Sequence, residues 1–426
     1  MKVLWSLSVV IEEAGEVMHQ KAVLQVSWVK HLSRLIRQDV ELVVCYPTNE
    51  VQGLASGNGD KITFYSIPRK SRNGFQYEKE LTGYYQEILE KETPDVIHIW
   101  GTEFPNTWNM VQAAEHCGMI DKTVISIQGL VSKISRHFYG EVPFKVCYAY
   151  TIKDFLKHSN LYWLKRKMEY RGTYEIQALK HVKNVIGRTD WDKASVWDVN
   201  PECRYYYNSE TMRPAFYTKK WEYGKCNKYR IFISQSGAPY KGTHFALEAL
   251  RCLQKEFPQV ELYVTGRDLS PGRPLKEQLR LGAYEKYLQR LIQEYGFQDK
   301  VHFLGTLNEE QMCEQYLKAN VFVLPSAIEN SPNSLGEAML LGTPSVSADV
   351  GGVKNLMQHE TEGYIYQHDA PYMMAYYIRK VFTDSEEHLL QMSDASRRHA
   401  DVLYDPEKNK QDLLTIYDRI VKQNYE

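Results

Sequence analysis

The chain has 426 residues, 43% of them hydrophobic and 25% charged, with a formal net charge of −1. That length exceeds what a single core usually serves, so two domains are expected. The near-zero charge argues against a dedicated nucleic-acid binder, and no apolar stretch in the sequence reaches the length of a membrane-spanning helix.

The N-terminus, Met1-Lys2-Val3-Leu4-Trp5-Ser6-Leu7, reads as a strand and not as a signal peptide. Its apolar run is short, and Glu12, Glu13 and Glu16 follow at once. Further short apolar runs predict strands at 40–46, 62–66, 95–100, 123–127, 183–187 and 203–207. Helical patterns lie between several of them, for example over 20–37 and 77–92. Such alternation predicts a parallel sheet with helices on both faces. The second half repeats it, with strands at 229–234, 260–265, 300–304, 321–324, 344–347 and 363–366 and helices near 241–256, 284–295, 308–318 and 333–341. The expected fold class is α/β, with two tandem Rossmann-like, doubly wound parallel-sheet domains. The first is expected over 1–209 and the second over 229–404. Between them a polar stretch, 210–228, with Pro214, Gly224 and Lys219-Lys220, reads as a linker. The end, from about Asp405, is helical and charged. Seven scattered cysteines form no Cys-x-x-Cys and no Cys/His cluster, which points to a reducing cytoplasm and packed thiols. Residues 144–183 hold nine Lys/Arg against three acids, interleaved with Tyr148, Tyr150, Phe155, Tyr162 and Trp163. Two readings stay open for this segment. It contacts an anionic membrane surface or a lipid-diphosphate acceptor, or it is a solvated helix face with its aromatics in the core.

The most informative segment runs from Glu329 to Glu337. The apolar run Val321-Phe322-Val323-Leu324-Pro325 before it reads as a buried parallel strand. Ser331 suits an N-cap and Pro332 the first helical position, so a helix is expected from about Asn333. Open α/β sheets bind ligands at such strand ends. The N–H groups of Asn333, Ser334 and Leu335 would face an anion there, with the helix dipole behind them. A phosphate site flanked by two carboxylates suits a molecule with a central diphosphate and hydroxyl-rich ends, such as a nucleotide sugar.

The pair Glu329 and Glu337, set in Ser326-Ala327-Ile328-Glu329-Asn330-Ser331-Pro332 and closed by Gly336-Glu337-Ala338-Met339, resembles glycosyltransferase family 4. The resemblance is fullest over 229–366 and thinner before it. It implies a GT-B fold with an interdomain cleft, and a final helix, about 405–426, crossing back onto the first domain. It implies a cytoplasmic, retaining transferase with no metal or other cofactor. The enzyme would move a hexose from a UDP- or GDP-sugar to a glycan or lipid-linked acceptor, its domains closing on the donor. The leaving phosphate itself would help deprotonate the acceptor, so no nucleophile is assigned.

Residue by residue, the resemblance assigns Glu329 to the transferred sugar and Glu337 to the ribose. Lys241, in Ser236-Gly237-Ala238-Pro239-Tyr240-Lys241-Gly242, matches the lysine of the family's phosphate loop. Ser236 stands where the family usually has an arginine, with Arg188 or Arg267 as candidate substitutes. Gly237, Gly266, Arg267 and Leu307 fall on donor loops, and Gly351-Gly352 on a loop that lets backbone approach the sugar. In the first half, Gly15 falls in the loop after the first strand, where the family has a glycine pair. Gln128 replaces a histidine and can hydrogen-bond but carries no proton. Gly187-Arg188-Thr189-Asp190-Trp191-Asp192 resembles a bacterial surface-polysaccharide branch of the family. Asp190-x-Asp192 mimics a metal motif of another glycosyltransferase architecture, and the metal reading is rejected because Lys241 and the helix end already supply positive charge. Two alternatives remain open: a sugar-nucleotide epimerase of the same fold, and a non-catalytic partner subunit that keeps it.

Overall fold

A computed structural model describes residues 1–22, 27–270 and 273–423. The chain divides into two compact units. One comprises Met1–Lys133, Lys167–Arg213 and the end of the chain from Tyr404; the other comprises Ile134–Arg166 and Pro214–Leu403. Both are α/β units built on parallel sheets, as the alternating pattern predicts.

The first unit holds strands β1 (Lys2–Ser6), β2 (Glu41–Thr48), β3 (Ala55–Gly59), β4 (Ile62–Pro68), β5 (Val96–Trp100), β6 (Thr123–Ser126), β7 (Asn184–Gly187) and β8 (Arg204–Tyr207). Their order in the sheet is β3-β4-β2-β1-β5-β6-β7-β8. All neighbours are parallel except β3 and β4. Strand side chains alternate between faces. Val3 and Trp5 enter one apolar cluster and Leu4 the other, so the sheet is buried on both sides. Leu413, Ile416, Tyr417 and Ile420, spaced for one helix face, carry the terminal helix Pro406–Gln423 into the Trp5 cluster. There the Tyr417 hydroxyl accepts from Trp5 Nε1 at 3.0 Å and meets His98 Nδ1 at 2.6 Å.

In this part of the chain one strand is unexpected and two expectations need correction. Strand β3, Ala-Ser-Gly-Asn-Gly, has no apolar run and no periodic signal; it exists because β4 offers it an antiparallel edge. The helix expected over 20–37 is replaced by helices Glu12–Met18 and Ser27–Ile36, with residues 23–26 of that expectation outside the described ones. Residues 134–166, expected with the first half, pack in the second unit through polar anchors. The Asp154 carboxylate accepts from the Ala283 N–H at 2.9 Å, Lys153 pairs with Glu285 at 3.1 Å, and His244 Nε2 meets the Gly140 carbonyl at 2.7 Å.

The second unit holds β9 (Arg230–Ile233), β10 (Glu261–Val264), β11 (Val301–Phe303), β12 (Val321–Leu324), β13 (Ser345–Ala348) and β14 (Tyr364–Tyr366), ordered β11-β10-β9-β12-β13-β14 and parallel throughout. Residues 214–228, expected as linker, belong to its packing. Trp221 is fully buried, its ring N–H donating to the Ala319 carbonyl at 2.8 Å and its backbone N–H to Leu341 at 2.7 Å. The order of the strands reverses between β9 and β12. A doubly wound sheet opens a crevice at such a switch point, past the carboxyl ends of the two strands, because the loops there lead to opposite faces.

Candidate active site

Both loops at that switch point carry expected site residues. After β9 the chain runs through Ser234–Ala238 into a short 3-10 turn, Pro239–Lys241, and then into helix Thr243–Leu253. After β12 it runs through Pro325–Pro332 into helix Asn333–Leu341. The loops are clamped together: the Ala327 N–H donates to the Tyr240 carbonyl at 2.8 Å. Gly242, with φ +73, lies so close to the second loop that a Cβ would fall 1.8 Å from the Pro325 carbonyl oxygen. Gly351, with φ +52, presses on the same loop further along, where a Cβ would lie 1.6 Å from the Glu329 carbonyl oxygen. The N–H of Gly352 donates to the Asn330 carbonyl at 3.0 Å. In this structure, then, the Gly351-Gly352 turn braces the Glu329 loop by close backbone approach.

This bracing brings Lys241 and Glu329 together. Lys241 Nζ lies 2.6 Å from Glu329 Oε1, and the Ser326 hydroxyl donates to the same oxygen at 2.7 Å. Both side chains are mostly buried, at 19% and 12% exposure. Burial acts to lower the Lys241 pKa, but the Glu329 carboxylate outweighs it and the net direction is up, so the ammonium stays charged. A small pocket opens here, lined by Ser234, Gln235, Lys241, Ser326, Glu329 and Ser334 together with the ends of β9 and β12. Lys241 is the cation among the described residues that line it.

Helix Asn333–Leu341 begins where the sequence places it, but its cap differs. Pro332 is the N-cap, and no side chain caps the end, so Ser331 does not play that part. The first turn is tight. The Leu335 N–H donates to the Pro332 carbonyl at 2.9 Å and is not open to an anion, which corrects the expectation of three free amides. Asn333 and Ser334 remain in the first turn, where a helix offers its N–H groups no carbonyl of its own. Glu337 is buried on the second turn, and its carboxylate accepts from the Tyr316 hydroxyl at 3.3 Å. The same hydroxyl donates to the Ser334 carbonyl at 3.1 Å, which ties the helix start to Glu337.

The other expected donor residues stand apart from this pocket. Gly237 is exposed with open space around its Cα. Ser236 turns inward, its hydroxyl donating to the Thr265 carbonyl at 3.0 Å. Gly266 joins the β10 and β11 loops by donating to the Gly305 carbonyl at 3.0 Å. Arg267 donates to the Arg280 carbonyl at 2.7 Å and pairs with Glu285 at 3.4 Å, so it supplies no cation to the Lys241 pocket. Leu307 is half-buried beside Asn308, the residue that caps helix Glu309–Lys318.

In the first unit, Gly15 is not in a loop. It sits inside helix Glu12–Met18, where a Cβ would fall 2.6 Å from the Gln20 carbonyl oxygen, so close chain packing explains it. Gln128 lines a small pocket with Ser126, Arg188 and Glu210, and its carbonyl accepts from Arg188 at 3.3 Å. Arg188 is buried in an ion pair with Glu210 and also donates to the Ile127 carbonyl at 3.1 Å. It too is committed within its own unit. Asp192 is buried and forms a capping box with Thr189 at the start of helix Asp190–Trp197. It also accepts from the Tyr205 hydroxyl. These bonds give it a structural role, and no cluster of potential metal ligands occurs among the described residues.

Sequence reasoning missed several residues. Ser326 and Tyr316, which hold the two glutamates, carry no pattern a single sequence exposes. Gly242 and Gly351 stand in segments the sequence singles out, but their positive φ and their approach to the second loop are visible only once the loops are placed. Glu103, on the loop after β5, has its pKa pushed up to about 7, by burial first and by the neighbouring Glu175 next. It lies against Gly101 and close to Gln128.

Residues 218–399 match the family model of glycosyl transferases group 1. The putative glycosyltransferase YtcC of Bacillus subtilis is 26% identical over 206 residues, 48% of this chain and 48% of that protein. The chain spans about half the length of that curated relative. Among solved structures, sucrose-phosphate synthase from Thermosynechococcus elongatus superposes with a TM-score of 0.69 at 16% identity, covering 99% of this chain and 100% of that one. Anabaena HepE in complex with UDP-glucose gives 0.64 at 16% identity, over 98% and 100% of the two chains. Strand order, loop placement and these likenesses agree: the chain has the GT-B fold, and its residues 218–399 carry the glycosyl transferases group 1 pattern.

Proposed function

We propose that the protein is a family 4 glycosyltransferase that moves a hexose from a UDP- or GDP-sugar to a glycan or lipid-linked acceptor. Configuration is retained and no metal takes part. The observation that carries this reading is the Lys241–Glu329 pair, in a pocket at the β9/β12 switch point beside the first turn of helix Asn333–Leu341. Breaking the glycosidic bond leaves negative charge on the departing phosphate. A fixed ammonium and first-turn N–H groups stabilise that charge more in the transition state than in the ground state. A pyrophosphate competing for Lys241 Nζ frees Glu329 Oε1, still held by Ser326, to accept from a hexose hydroxyl. Glu337 accepts from the ribose hydroxyls. The bond from the anomeric carbon to phosphate breaks as the bond to the acceptor oxygen forms on the same face. The acceptor's proton passes to the departing phosphate oxygen.

The likeness of Gly187–Asp192 to the surface-polysaccharide branch supports a place in bacterial polysaccharide synthesis, with the protein on the cytoplasmic side. The test uses UDP-glucose as the first donor probe, with thermal shift for binding and an acceptor panel for transfer. Glu329→Ala is expected to lose about 10²–10³-fold in turnover while still folding, with a lowered but cooperative melting transition because Lys241 loses its buried partner. Unchanged turnover in that variant discards the assignment. Conversion of the donor alone to another sugar nucleotide would favour an epimerase, and donor binding without turnover on any acceptor would favour a non-catalytic partner.

A further inference from the structure

The second unit carries an inside-out helix. In Ile152–Lys157 the buried side chain is the acid, Asp154, held by a capping box with Thr151 and by the Ala283 N–H. The apolar members face outward: Phe155 is 71% exposed and Leu156 73%. An isolated surface helix would turn these residues toward the core. Here the polar anchors of Asp154 and the Lys153–Glu285 pair fix the opposite orientation. Exposed apolar side chains continue in the sequence on both sides of it. Phe144 is 76% exposed and packs against Tyr148 in a tilted ring pair at 4.4 Å, and the exposed Trp163 donates to the Tyr150 hydroxyl at 3.0 Å. From far along the chain, the exposed Leu279 joins it, with Leu275, 75% exposed, four residues before it. One open groove is lined by Ile152, Leu156 and Lys157 from the first segment and by Leu279 and Arg280 from the second.

Exposed apolar groups in this number on one face mark an interaction surface. The charge on the face decides the partner. Residues 143–166 contain five Lys/Arg and one acid, the buried Asp154. Lys145, Lys157, Lys276 and Arg280 are exposed and carry no ion pair among the described residues. The nearby acids are occupied: Glu285 by Lys153 and Arg267, and Asp268 and Glu277 by Arg273. The result is an apolar ridge rimmed by unpaired cations, the composition of an element that lies in a lipid interface. No described helix is long and apolar enough to span a bilayer, so attachment is peripheral.

We propose that the face formed by residues 144–166 and 275–280 docks the protein on an anionic lipid bilayer, with Phe144, Ile152, Phe155, Leu156 and Leu275 entering the headgroup boundary and the lysines and arginine meeting lipid phosphates. This surface needs no donor and stands independently of the reaction proposed above.

The test is co-sedimentation of the full chain with vesicles of phosphatidylcholine alone and of phosphatidylcholine with one third phosphatidylglycerol. Binding to the mixed vesicles, weak binding to the neutral ones, and release as salt rises from 0.05 to 0.5 M are expected. Phe155→Ser with Leu156→Ser should weaken the partition about tenfold or more. Lys145→Gln with Lys157→Gln should weaken it by roughly fivefold per lysine. Melting profiles of both variants, and UDP-glucose binding, should match the parent. Absence of binding to the mixed vesicles at low salt overturns the proposal. So does equal binding to both vesicle types. A dimer in solution that Phe155→Ser with Leu156→Ser dissociates, without vesicle binding by the parent, would assign the face to self-association instead.

Discussion

Gly351→Ala tests the idea that backbone bracing holds the Glu329 carboxylate in place. The added methyl carbon would fall 1.6 Å from the Glu329 carbonyl oxygen. A carbon–oxygen contact needs roughly 3.3 Å, so the two loops must separate by about 1.7 Å, the difference between the two distances. Alanine at φ +52 adds a left-handed penalty of about 1–2 kcal/mol. Displacing packed backbone costs a further ~1–3 kcal/mol, which makes a destabilisation of about 2–5 kcal/mol in the second unit. The movement falls on the residue that places Glu329, where a shift of about 1 Å can cost on the order of 10²-fold in rate. Urea unfolding followed by hydrogen exchange over 321–356, with transfer kinetics alongside, measures both effects. Gly237→Ala is the matched control. No atom lies within 4 Å of its added carbon, so its stability should stay within about 0.5 kcal/mol of the parent. UDP-glucose affinity should fall in it if its backbone approaches the donor. A Gly351→Ala protein as stable and as active as the parent would refute the bracing argument.

The remaining predictions concern single groups. Glu337→Ala should weaken UDP-glucose binding about tenfold by calorimetry and cost ~0.5–1.5 kcal/mol of stability, since the Tyr316 hydroxyl loses one acceptor and keeps the Ser334 carbonyl; an unchanged dissociation constant removes Glu337 from the donor site. Asp192→Ala should cost ~1–2 kcal/mol through its lost capping box, while chelation of divalent metals leaves turnover unchanged. Turnover lost on chelation and restored by magnesium or manganese would reverse the reading of Asp190-x-Asp192. His98, buried between Ser126 and Tyr417, has its pKa lowered by burial from 6.5 to about 3. The unfolded chain takes up this proton near pH 6.5 and the folded one only near 3, so stability falls as pH drops through that window. The loss is up to about 1.4 kcal/mol per pH unit from this group. Its ring resonances should stay flat between pH 8 and 5, and an inflection near 6.5 would contradict the buried, neutral ring.

Strand and helix placement was legible to a large extent because buried parallel strands are short, continuously apolar runs. Val321–Leu324 is such a run, Val96–Trp100 is one interrupted only by His98, and helix Asn333–Leu341 starts at the residue expected. Strand β3 was not legible, since its glycines and polar residues become a strand only against β4. The segment 134–166 was misplaced for a related reason: sequence proximity suggested the first half, while polar bonds to Ala283, Glu285 and His244 hold it in the second unit. The bland reading of its aromatics, buried in the core, fails for Phe155, Tyr150 and Tyr148, which are exposed.

The sequence alone specified local chemistry: two acids on either side of a helix start, a lysine beyond another strand, and the alternation that makes two parallel-sheet units. Local spacing encodes those features, because period, cap and breaker act within a few residues. Tertiary structure decided which of them meet. It put Lys241 against Glu329, separated by 88 positions in the chain, because β9 and β12 are neighbours in the sheet and two glycines let their loops touch. It withdrew Leu335, Gly15, Arg188 and Arg267 from the roles their positions suggested, because each already has its bonds or its packing elsewhere. Long-range pairing and backbone approach depend on the whole fold, and no window of sequence carries them.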